Sequence, residues 1–577
     1  MRHFKRIALF CFVLLLVLLA ACSSKDSKAK EEKKEAAVKE IEELKSDTLK
    51  ASNPAAAPEI SQKRGNTVVV GLVEPGGVFT PYFNESGYDG NVQSAIFSSL
   101  VEVNEDGEPI PGLAEKWEIS EDELTYTFQL RDGLLFDDGS PLTAKDVEFT
   151  LTLLHDPGFP GTFDITKAQI AGGLDYKKGK ADHVSGINVI DDKTIEIKTE
   201  KVNARTLSLI SGYVLKKDYY GKGYKKGSVD HLKGLHQKPV GNGPFRYVKY
   251  LPGQEVRYEA NEHYHGGKPQ VDQFIYKIIE GDSQALFETG ELDFSSFKAT
   301  SENLDFLKSL EFANVTTTTY SNYSYIAFNH RKEIFKDSNV RKAFILGLDR
   351  EAFVKASNQE YGRVANVPVG PNSWAYTDKI GKPEYNPEKA KQLLEEAGWK
   401  AGKDGIREKD GKKLKVYYYT STGGSGDTLV PIAKENYKEI GIDLQVEQMD
   451  FNALLARVDK GDHDLVSFGT TLLSDPYSGI SGFHSKETAE KDSTFHGYGS
   501  KELDQLIDDT VATTDQAERT KAFHKLYEAL EEDPPQILLN YSTVLSASNA
   551  RVEGLIPNGY TGISSSLKNL KVVEVKK

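Results

Sequence analysis

The stretch "TYTFQLRDGLLFDDGSPLTAKDVEFT", Thr125 to Thr150, carries strand, turn and helix signals in close succession. Its first residues alternate polar and apolar side chains, which is the period of a half-buried strand. The Asp-Gly pairs at 132–133 and 138–139 are typical of tight turns. Thr143 is a suitable cap for a helix that begins near Ala144. The stretch therefore predicts a strand, a turn region and a helix of a mixed α/β unit.

The same periodicities recur on both sides of this stretch. We predict strands at Thr67–Val73 and Thr194–Glu200, and a helix over 338–356 that Asp337 or Ser338 can cap. Three more helices are predicted: one from Pro387 to Gly398, and two between Lys501 and Asp533 that stop before Pro534. The part of the chain after residue 65 is long enough for two or three domains. An α/β protein with several lobes follows.

The amino terminus has the order of a secretory signal. A positive patch, Met1 to Arg6, precedes the apolar run Ile7 to Ala20, which is too short for a membrane span of about 20 residues. "LAAC", Leu19 to Cys22, resembles the lipobox of bacterial lipoproteins, in which the cysteine receives a diacylglyceryl group. We therefore predict a signal peptide at 1–21 and a lipid anchor, with palmitate-type acyl chains, at Cys22. The alternative is an ordinary signal peptide whose cysteine is incidental.

Residues 22–65 are rich in Lys, Glu and Ala, lack aromatic residues, and contain Pro54 and Pro58 near their end. This composition predicts a solvated tether. Of the two cysteines in the chain, Cys11 lies in the signal peptide and Cys22 is the predicted anchor, so no disulfide or zinc-thiolate site is expected beyond them. The formal net charge of −14 argues against a nucleic-acid surface and against electrostatic docking on anionic lipid.

Motifs of catalysis and of cofactor binding are missing from the sequence. It has no GxSxG, no HExxH and no phosphate loop, and Gly241 to Pro244 is interpreted as a structural turn. The histidines lack the spacing of a metal site and are interpreted as loop or surface residues: His263, His265, His463, His484 and His496. We expect no enzyme, no cofactor and no bound metal.

Several segments together resemble a known family. Pro111–Trp117, the opening stretch, and four later segments follow one another in the order seen in the family 5 extracellular solute-binding proteins, which are receptors of ABC importers for oligopeptides, dipeptides and nickel. The later segments are Gly241–Pro269, Glu288–Asp293, Tyr325–Glu351 and Tyr385–Trp399. The resemblance covers nearly all of the predicted mature chain.

The resemblance implies a two-lobed, hinged fold of the periplasmic-binding-protein type (type II, cluster C) with three subdomains. Domain I would be discontinuous, with segments 66–104, 237–330 and 536–577. Domain II would span 105–236, and domain III, the opposite lobe, would span 331–535. The hinge candidates are the connections at 330–331 and 535–536.

The function implied is a receptor that captures oligopeptides between the lobes and delivers them to the permease subunits of an ABC importer. We expect a monomer held on the cell membrane, on its extracellular face, or on the periplasmic side in a Gram-negative cell. Dipeptide, nickel-chelate and haem ligands remain alternatives within the same receptor class. An exported hydrolase is a remote alternative, and an adhesin is disfavoured because the sequence has no internal repeats.

Candidate ligand residues follow from four segments that match cleft-facing parts of the family. They are Asn84, Tyr88, Tyr323, Asn329, Trp374, Tyr376, Thr470 and Asp475. For each aromatic residue the alternative is core packing. Oligopeptide receptors usually carry Trp and Asp where this chain has Thr470 and Leu473, and that Asp pairs with the α-ammonium of the peptide. The pairing cannot form in the same way here. Asp475 is the candidate substitute, or else a turn residue before Pro476.

Overall fold

The structure is a computed structural model and describes residues 48–574 except Glu85, Glu105, Thr162, Asp282, Gly423 and residues 490–492. The predicted signal peptide of residues 1–21, the predicted anchor Cys22 and most of the predicted tether lie outside the described residues.

The described strands are numbered in chain order. They are β1 Thr67–Leu72, β2 Val101–Val103, β3 Pro109–Pro111, β4 Ala114–Ile119, β5 Thr125–Leu130, β6 Ile187–Val189, β7 Thr194–Lys198, β8 Phe245–Leu251, β9 Glu255–Ala260, β10 Gln273–Ile278, β11 Phe294–Lys298, β12 Ala313–Thr319, β13 Asn322–Phe328, β14 Arg363–Val364, β15 Lys400–Ala401, β16 Arg407–Lys409, β17 Lys412–Lys413, β18 Lys415–Ser421, β19 Asp443–Met449, β20 Leu465–Thr471, β21 Gln536–Leu538, β22 Asn540–Tyr541, β23 Thr543–Asn549, β24 Val552–Glu553 and β25 Lys571–Val572.

The described α-helices are numbered in the same way. They are α1 Glu59–Gln62, α2 Gly87–Ile96, α3 Ala144–Leu154, α4 Gly173–Lys177, α5 Thr206–Ile210, α6 Lys217–Tyr220, α7 Gln284–Glu288, α8 Ser301–Ser309, α9 Ser338–Leu346, α10 Arg350–Asn358, α11 Pro387–Glu396, α12 Gly424–Glu439, α13 Phe451–Lys460, α14 Ser485–Thr488, α15 Lys501–Asp509 and α16 Gln516–Glu532. Short 3-10 turns, among them Pro54–Ala56 and Pro476–Gly479, connect several of these elements.

The first sheet contains seven of the described strands in the order β12-β23-β11-β1-β10-β9-β8. The predicted strand at Thr67–Val73 is confirmed as β1, which pairs in parallel with β10 and β11 on its two sides. Val68, Val70 and Leu72 of β1 are buried against α2 and the last strands of the chain. A central position explains why this strand is apolar on both faces.

The opening stretch forms an inserted subdomain between α2 and β8. β5 lies in the sheet β4-β5-β7-β6, and its alternate residues Tyr126, Phe128 and Leu130 are buried. The predicted helix is α3, which begins at Ala144 with Thr143 as its cap. The carboxylate of Asp146 accepts the Thr143 backbone N–H at 2.9 Å, so the helix start is fixed by a reciprocal capping box.

The second sheet has the order β19-β18-β20-β13-β21 and is covered on both faces. On one face pack α9, α11 and α12, and on the other pack α13, α15 and α16. The predicted caps of these helices are confirmed, since Asp337 accepts the Asn339 N–H at 2.9 Å and Pro387 occupies the first turn of α11. We call this part of the chain, residues 322–541, the second lobe. The first lobe is formed by residues 48–319 and 543–574.

The predicted boundary between the lobes needs a correction. β13 pairs with β20 and β21 of the second sheet, so the chain crosses between the lobes at Tyr320 and Ser321 and not at 330–331. It returns at Ser542, between β22 and β23, and not at 535–536. His330 and Pro535 both lie inside the second lobe, where the ring Nε2 of His330 is 3.1 Å from the Pro535 carbonyl oxygen. The two connections are hydrogen-bonded to each other, because the Tyr320 N–H donates to the Ser542 carbonyl at 3.1 Å.

The end of the predicted tether is also different from expectation. Within residues 48–65, Leu49 pairs with Val315 of β12, and Ala57 and Ser61 are buried. Arg64 forms an ion pair with the buried Asp293 at 2.6 Å. Backbone pairing at Leu49, packing of small residues and the Arg64 ion pair attach this segment to the first lobe, so the folded part of the chain includes residues 48–65.

The turn at Gly241 to Pro244 serves the scaffold. A Cβ added to Gly241 would lie 2.1 Å from the Ile96 carbonyl oxygen, and the Asn242 N–H donates to that oxygen at 3.0 Å. The glycine is needed because the turn closes against the carboxyl end of α2.

Candidate functional site

The candidate site is the cleft between the carboxyl ends of the parallel strands of the two sheets. β12 is antiparallel to β23, which is antiparallel to β11, so β12 ends at the carboxyl edge of the first sheet. β18 runs parallel to β19 and β20, and β13 runs antiparallel to β20, so β13 starts at the carboxyl edge of the second sheet. Because two residues join β12 to β13, the two edges lie next to each other. Ligands of open α/β sheets bind outside such edges.

The first-lobe side of the cleft is the loop that follows β1. Asp89, in the first turn of α2, is buried against this loop, and its carboxylate accepts the N–H groups of Gly77 at 2.9 Å and Val78 at 3.2 Å. Asp89 also completes the capping box of α2 with Ser86. The loop is therefore shaped by an internal carboxylate that has no capacity left for a ligand. The predicted residues Asn84 and Tyr88 lie on this loop and helix, and Tyr88 is 42% exposed.

The second-lobe side includes the segment 370–376. Trp374 lies edge-on to Phe523 at 5.6 Å between ring centroids, and the Arg519 guanidinium lies 5.0 Å from its ring. Tyr376 lies edge-on to Tyr541 at 6.0 Å. Both aromatic side chains are half-buried, so one part of each contributes to the core while another part faces solvent.

The loop that follows β20 contains Asp475. Its carboxylate accepts two hydrogen bonds from Arg519 Nη2, at 2.8 and 3.0 Å, and the Tyr477 backbone N–H at 2.9 Å. Both partners of this ion pair are largely buried. Asp475 therefore acts in this structure as the cap of a 3-10 turn and the counter-charge of Arg519. Thr470, at the end of β20, is half-buried and faces Tyr323 in the ladder, and Leu473 is 68% exposed.

Two predicted residues lie away from the cleft surface. Tyr323 is buried, and its hydroxyl donates to the Gly479 carbonyl at 3.3 Å and accepts from Gln536 at 3.2 Å. Asn329 follows the far end of β13, where its amide donates to the carbonyls of Gly461 and His463. Tyr323 therefore holds the loop after β20 through the Gly479 carbonyl. Asn329 fixes the turn at 461–463, at the opposite edge of the sheet.

The base of the cleft is formed where the carboxyl-terminal segment reaches the crossing strands. The Ser321 N–H donates to the Gly559 carbonyl at 2.7 Å, and the Tyr560 hydroxyl donates to the Asn372 carbonyl at 3.1 Å. A Cβ on Gly559 would lie 2.5 Å from the Thr319 carbonyl oxygen, so this close approach needs glycine. Burial raises the pKa of Tyr560 to about 12, so its hydroxyl remains a donor at neutral pH.

At the mouth of the cleft the inserted subdomain touches the second lobe. We call four interactions there the closing contacts. They are the Arg205 guanidinium over the Tyr477 ring at 4.0 Å, the Lys167–Glu487 ion pair at 2.9 Å, the Ala204 N–H to the Val511 carbonyl at 3.0 Å, and the Thr514 hydroxyl to the Glu123 carboxylate at 2.7 Å. The structure is consequently one in which the lobes meet on both sides of the cleft.

The histidines weighed above as metal ligands are spread over the molecule. Desolvation lowers the pKa of His265 and of His463 to about 4, so both are neutral at physiological pH. His484 caps α14 by accepting the Lys486 N–H at 3.2 Å. Among the residues that the structure describes, no three His, Cys, Asp or Glu side chains are grouped as metal ligands would be. The helices within the same residues also include none that is long and apolar enough to cross a membrane.

Comparison with known proteins agrees with this architecture. Residues 108–491 match the model of the bacterial extracellular solute-binding proteins, family 5 Middle. The chain belongs to family 5 of the bacterial extracellular solute-binding proteins. The match begins in the hairpin β2–β3, includes most of the inserted subdomain, and runs through β13 and β20 to just beyond α14.

Proteins similar to this family 5 protein are named for different ligands, or were solved with different ligands bound. The oligopeptide-binding protein AppA of Bacillus subtilis is 29% identical over 520 residues, which is 88% of this chain and 92% of the relative. The structure of AppA in complex with a nonapeptide superposes with a TM-score of 0.76 at 26% identity, covering 88% of this chain and 99% of that one. NikZ of Campylobacter jejuni in complex with Ni(L-His) gives a TM-score of 0.77 at 25% identity, with the same coverage. The two-lobed α/β fold is thus shown.

In this family 5 protein, sequence reasoning missed the closing contacts and the base of the cleft. Arg205, Lys167 and Tyr477 are charged or aromatic residues in loops far apart along the chain. No local pattern marks such residues, because their role arises only when the lobes meet. Gly559 carries a weak signal, since Asn558-Gly559 is a turn dipeptide.

Proposed function

We propose that this protein is a receptor that binds oligopeptides in the cleft and delivers them to the permease subunits of an ABC importer. Membership of family 5 supports the receptor class. The observation that carries the peptide part is the similarity to oligopeptide-binding AppA, which extends over most of both chains and over the fold.

The geometry supports a trap that closes by rotation about the crossing strands. Two short connections, 320–321 and 542, join the lobes, and the closing contacts lie at the other end of the cleft. A ligand that touches both lobes binds the closed form better than the open form and therefore shifts the population towards closure. A permease can then recognise the closed form. A monomer is sufficient for this mechanism.

The test of the peptide proposal is the identification of what the protein carries. The purified protein is analysed by native mass spectrometry, and any bound material is released by denaturation and sequenced. A heterogeneous set of peptides supports an oligopeptide receptor, and their common length shows whether the ends are recognised. A protein that carries only dipeptides, a nickel chelate or a porphyrin, or nothing after growth in rich medium, contradicts it.

The lipid anchor is a separate part of the proposal. Cys22 follows the small residues Ala20 and Ala21, and acylation of its thiol and amino group holds the receptor on the outer face of the membrane. Cys22→Ser should move the protein from the membrane fraction to the soluble fraction and abolish labelling by an alkyne analogue of palmitate. Cys11→Ser is the matched control and should retain both. Membrane retention and labelling of Cys22→Ser would contradict the anchor.

A further inference from the structure

The second lobe contains a cavity beside β21, the edge strand of the second sheet. Its volume is about 260 Å³, and we call it the edge cavity. α9 and α16 pack on opposite faces of the sheet, yet residues of both helices line the cavity, so it lies past the edge of the sheet. None of the eight residues predicted as ligand contacts of the cleft is among its described lining residues. The edge cavity is therefore distinct from the site between the lobes.

Most of the wall of the edge cavity is apolar. A cavity of about 150 Å³ with such a wall holds benzene, so this one has room for about ten non-hydrogen atoms. Water gains few hydrogen bonds in such a space, whereas an apolar chain gains contacts with the wall. The apolar side chains of the wall include Ile345, Leu346, Val367, Phe483, Leu530 and Leu538.

One buried positive charge lies in this apolar wall. Arg350, the first residue of α10, is 6% exposed. Its Nη1 donates to the carbonyls of Ala365 at 3.1 Å and Leu538 at 3.0 Å. Its Nη2 donates to the Pro383 carbonyl at 2.9 Å. Leu538 and Pro383 line the edge cavity as Arg350 itself does, so the guanidinium lies at the cavity surface. These bonds use three of its five N–H donors.

The charge of Arg350 is not neutralised within the protein. Its described hydrogen-bond partners are carbonyl oxygens, and no described carboxylate forms an ion pair with it. Desolvation lowers the pKa of Arg350 to about 10, because burial outweighs the attraction of nearby groups such as Glu351. A carboxylate in the cavity would supply a counter-charge and accept the remaining N–H groups, as carboxylates paired with arginine do.

The acidic residues at the rim of the edge cavity are exposed and already have partners. Glu532 pairs with Lys342 at 2.5 Å, and the Glu531 carboxylate accepts the Gly381 N–H at 3.3 Å. Charges that face water are screened by salt, whereas a buried charge such as that of Arg350 is screened much less. The interior of the cavity therefore favours an anion despite the acidic rim.

We propose that the edge cavity is a second ligand site, which binds a small amphipathic carboxylic acid with its apolar part against the wall and its carboxylate on Arg350. The ligand class is medium-chain fatty acids and arylalkanoic acids of about ten non-hydrogen atoms. This site goes beyond the proposed peptide function, and neither depends on the other.

The test is calorimetric titration of the full-length protein with three molecules of equal chain length at neutral pH. Octanoate should bind once per chain and at least about tenfold more tightly than 1-octanol, because only octanoate gives Arg350 a counter-charge. Octylammonium should bind more weakly than 1-octanol, because it places a second cation beside Arg350. Saturating octanoate should leave peptides captured in the cleft in place.

Two variants assign the binding to the edge cavity. Leu346→Trp fills its apolar part, keeps Arg350, and should raise the Kd of octanoate at least about tenfold. Leu310→Trp, at another half-buried leucine beside a helix end but in the first lobe, should keep the wild-type Kd. Arg350→Gln should bring octanoate and 1-octanol to within about twofold of each other, once circular dichroism has shown that the variant is folded.

The inference is overturned by any of four results. These are no binding of octanoate, equal Kd values for octanoate and 1-octanol on the wild-type protein, an unchanged octanoate Kd in Leu346→Trp, and displacement of cleft-bound peptides by octanoate. If Arg350→Gln does not fold, the three-ligand comparison on the wild-type protein and on Leu346→Trp still decides between a carboxylate site and a merely apolar void.

Discussion

At the scale of single residues, the ion pair between Asp475 and Arg519 shows how a residue predicted as a ligand contact is used by the scaffold. Arg519 also donates from Nε to the Thr510 carbonyl at 2.8 Å and lies over Trp374, so it joins α16 to two cleft segments. The sequence motif Ser-Asp-Pro allowed both a turn and a ligand role for Asp475. Arg519 decides between these two roles by pairing with Asp475. It lies 44 residues further along the chain, so no local pattern around Asp475 indicates the pairing.

Removal of Arg519 should destabilise the second lobe. Arg519→Ala leaves the largely buried carboxylate of Asp475 without its counter-charge, which costs about 3–5 kcal/mol in comparable pairs. The urea midpoint of unfolding, followed by tyrosine fluorescence, measures the loss. Lys521→Ala, on the same helix, removes an exposed ion pair with Glu518 and should leave the midpoint unchanged. Equal midpoints for Arg519→Ala and wild type would contradict the structural role of the pair.

Buried histidines should make stability fall on acidification. Desolvation and the nearby Arg341 charge lower the pKa of His330 to about 3, and burial lowers the pKa of His155 to about 4. An unfolded histidine titrates near pH 6.5, so between pH 6.5 and 3 the unfolded chain binds protons that the folded chain does not. The contribution of these two histidines to the free energy of unfolding is therefore fully present above pH 6.5 and decreases as the pH falls. Asp137, whose pKa burial raises to about 6, acts in the opposite direction over part of this range.

His330→Gln isolates one of these groups. The variant keeps a side-chain donor near the Pro535 carbonyl but cannot titrate, so the slope of unfolding free energy against pH should become shallower by up to about 1.4 kcal/mol per pH unit between pH 6 and 4. Urea denaturation at several pH values gives the slope. His183→Gln, at an exposed position, should reproduce the wild-type slope. An unchanged slope in His330→Gln would mean that folding does not lower the pKa of His330.

At the scale of elements, local signals predicted what local sequence determines. The alternation in β5, the Asp-Gly turns and the capping box of α3 all act within a few residues, and the structure confirms each of them. The membership of β13 could not be predicted in this way, because its partners β20 and β21 lie far along the chain. The first hinge was therefore predicted after β13, at 330–331, whereas the chain crosses before β13, at 320–321.

The segment 48–65 is an element whose composition misled the prediction. Lys, Glu and Ala predict a tether, yet Asp293 in the first lobe is fully buried and accepts hydrogen bonds from both Arg64 at 2.6 Å and Arg551 at 2.7 Å. Small residues such as Ala57 and Ser61 pack closely against a sheet without giving an apolar period. A segment that is attached by a few specific contacts therefore shows no hydrophobic periodicity from which its attachment could be predicted.

A truncation series tests this attachment. A chain that begins at Asn66 loses Arg64 and the Leu49 pairing, and its unfolding free energy should fall by about 2–3 kcal/mol, the cost of a lost charged hydrogen bond to a buried group. A chain that begins at Thr48 keeps these contacts and should match a chain that begins at Cys22. Urea denaturation of the three chains gives the comparison. Equal free energies of unfolding for all three chains would mean that residues 48–65 do not stabilise the first lobe and belong to the tether.

At the scale of the whole molecule, the cleft depends on the balance between its two ends. The crossing strands fix the base through Tyr320, Ser321 and Ser542, while the closing contacts hold the mouth. Contacts that exist only in the closed form add to the free energy of closure and hence to the apparent affinity for a ligand of that form. The sequence predicts the two lobes through a family resemblance, but it does not predict how firmly they close.

Arg205→Ala should therefore weaken ligand binding without touching the base of the cleft. A cation–π contact is worth about 0.5–2 kcal/mol, so loss of the Arg205–Tyr477 interaction should raise the Kd of a captured peptide by about 2- to 30-fold. Small-angle X-ray scattering should show a larger radius of gyration for the unliganded variant, because the open form becomes more populated. Lys226→Ala removes a similar contact with Tyr176 inside the inserted subdomain and should change neither quantity. If Arg205→Ala kept both the wild-type Kd and the wild-type radius, closure would be set at the crossing strands alone, and the contacts at the mouth would form without contributing to it.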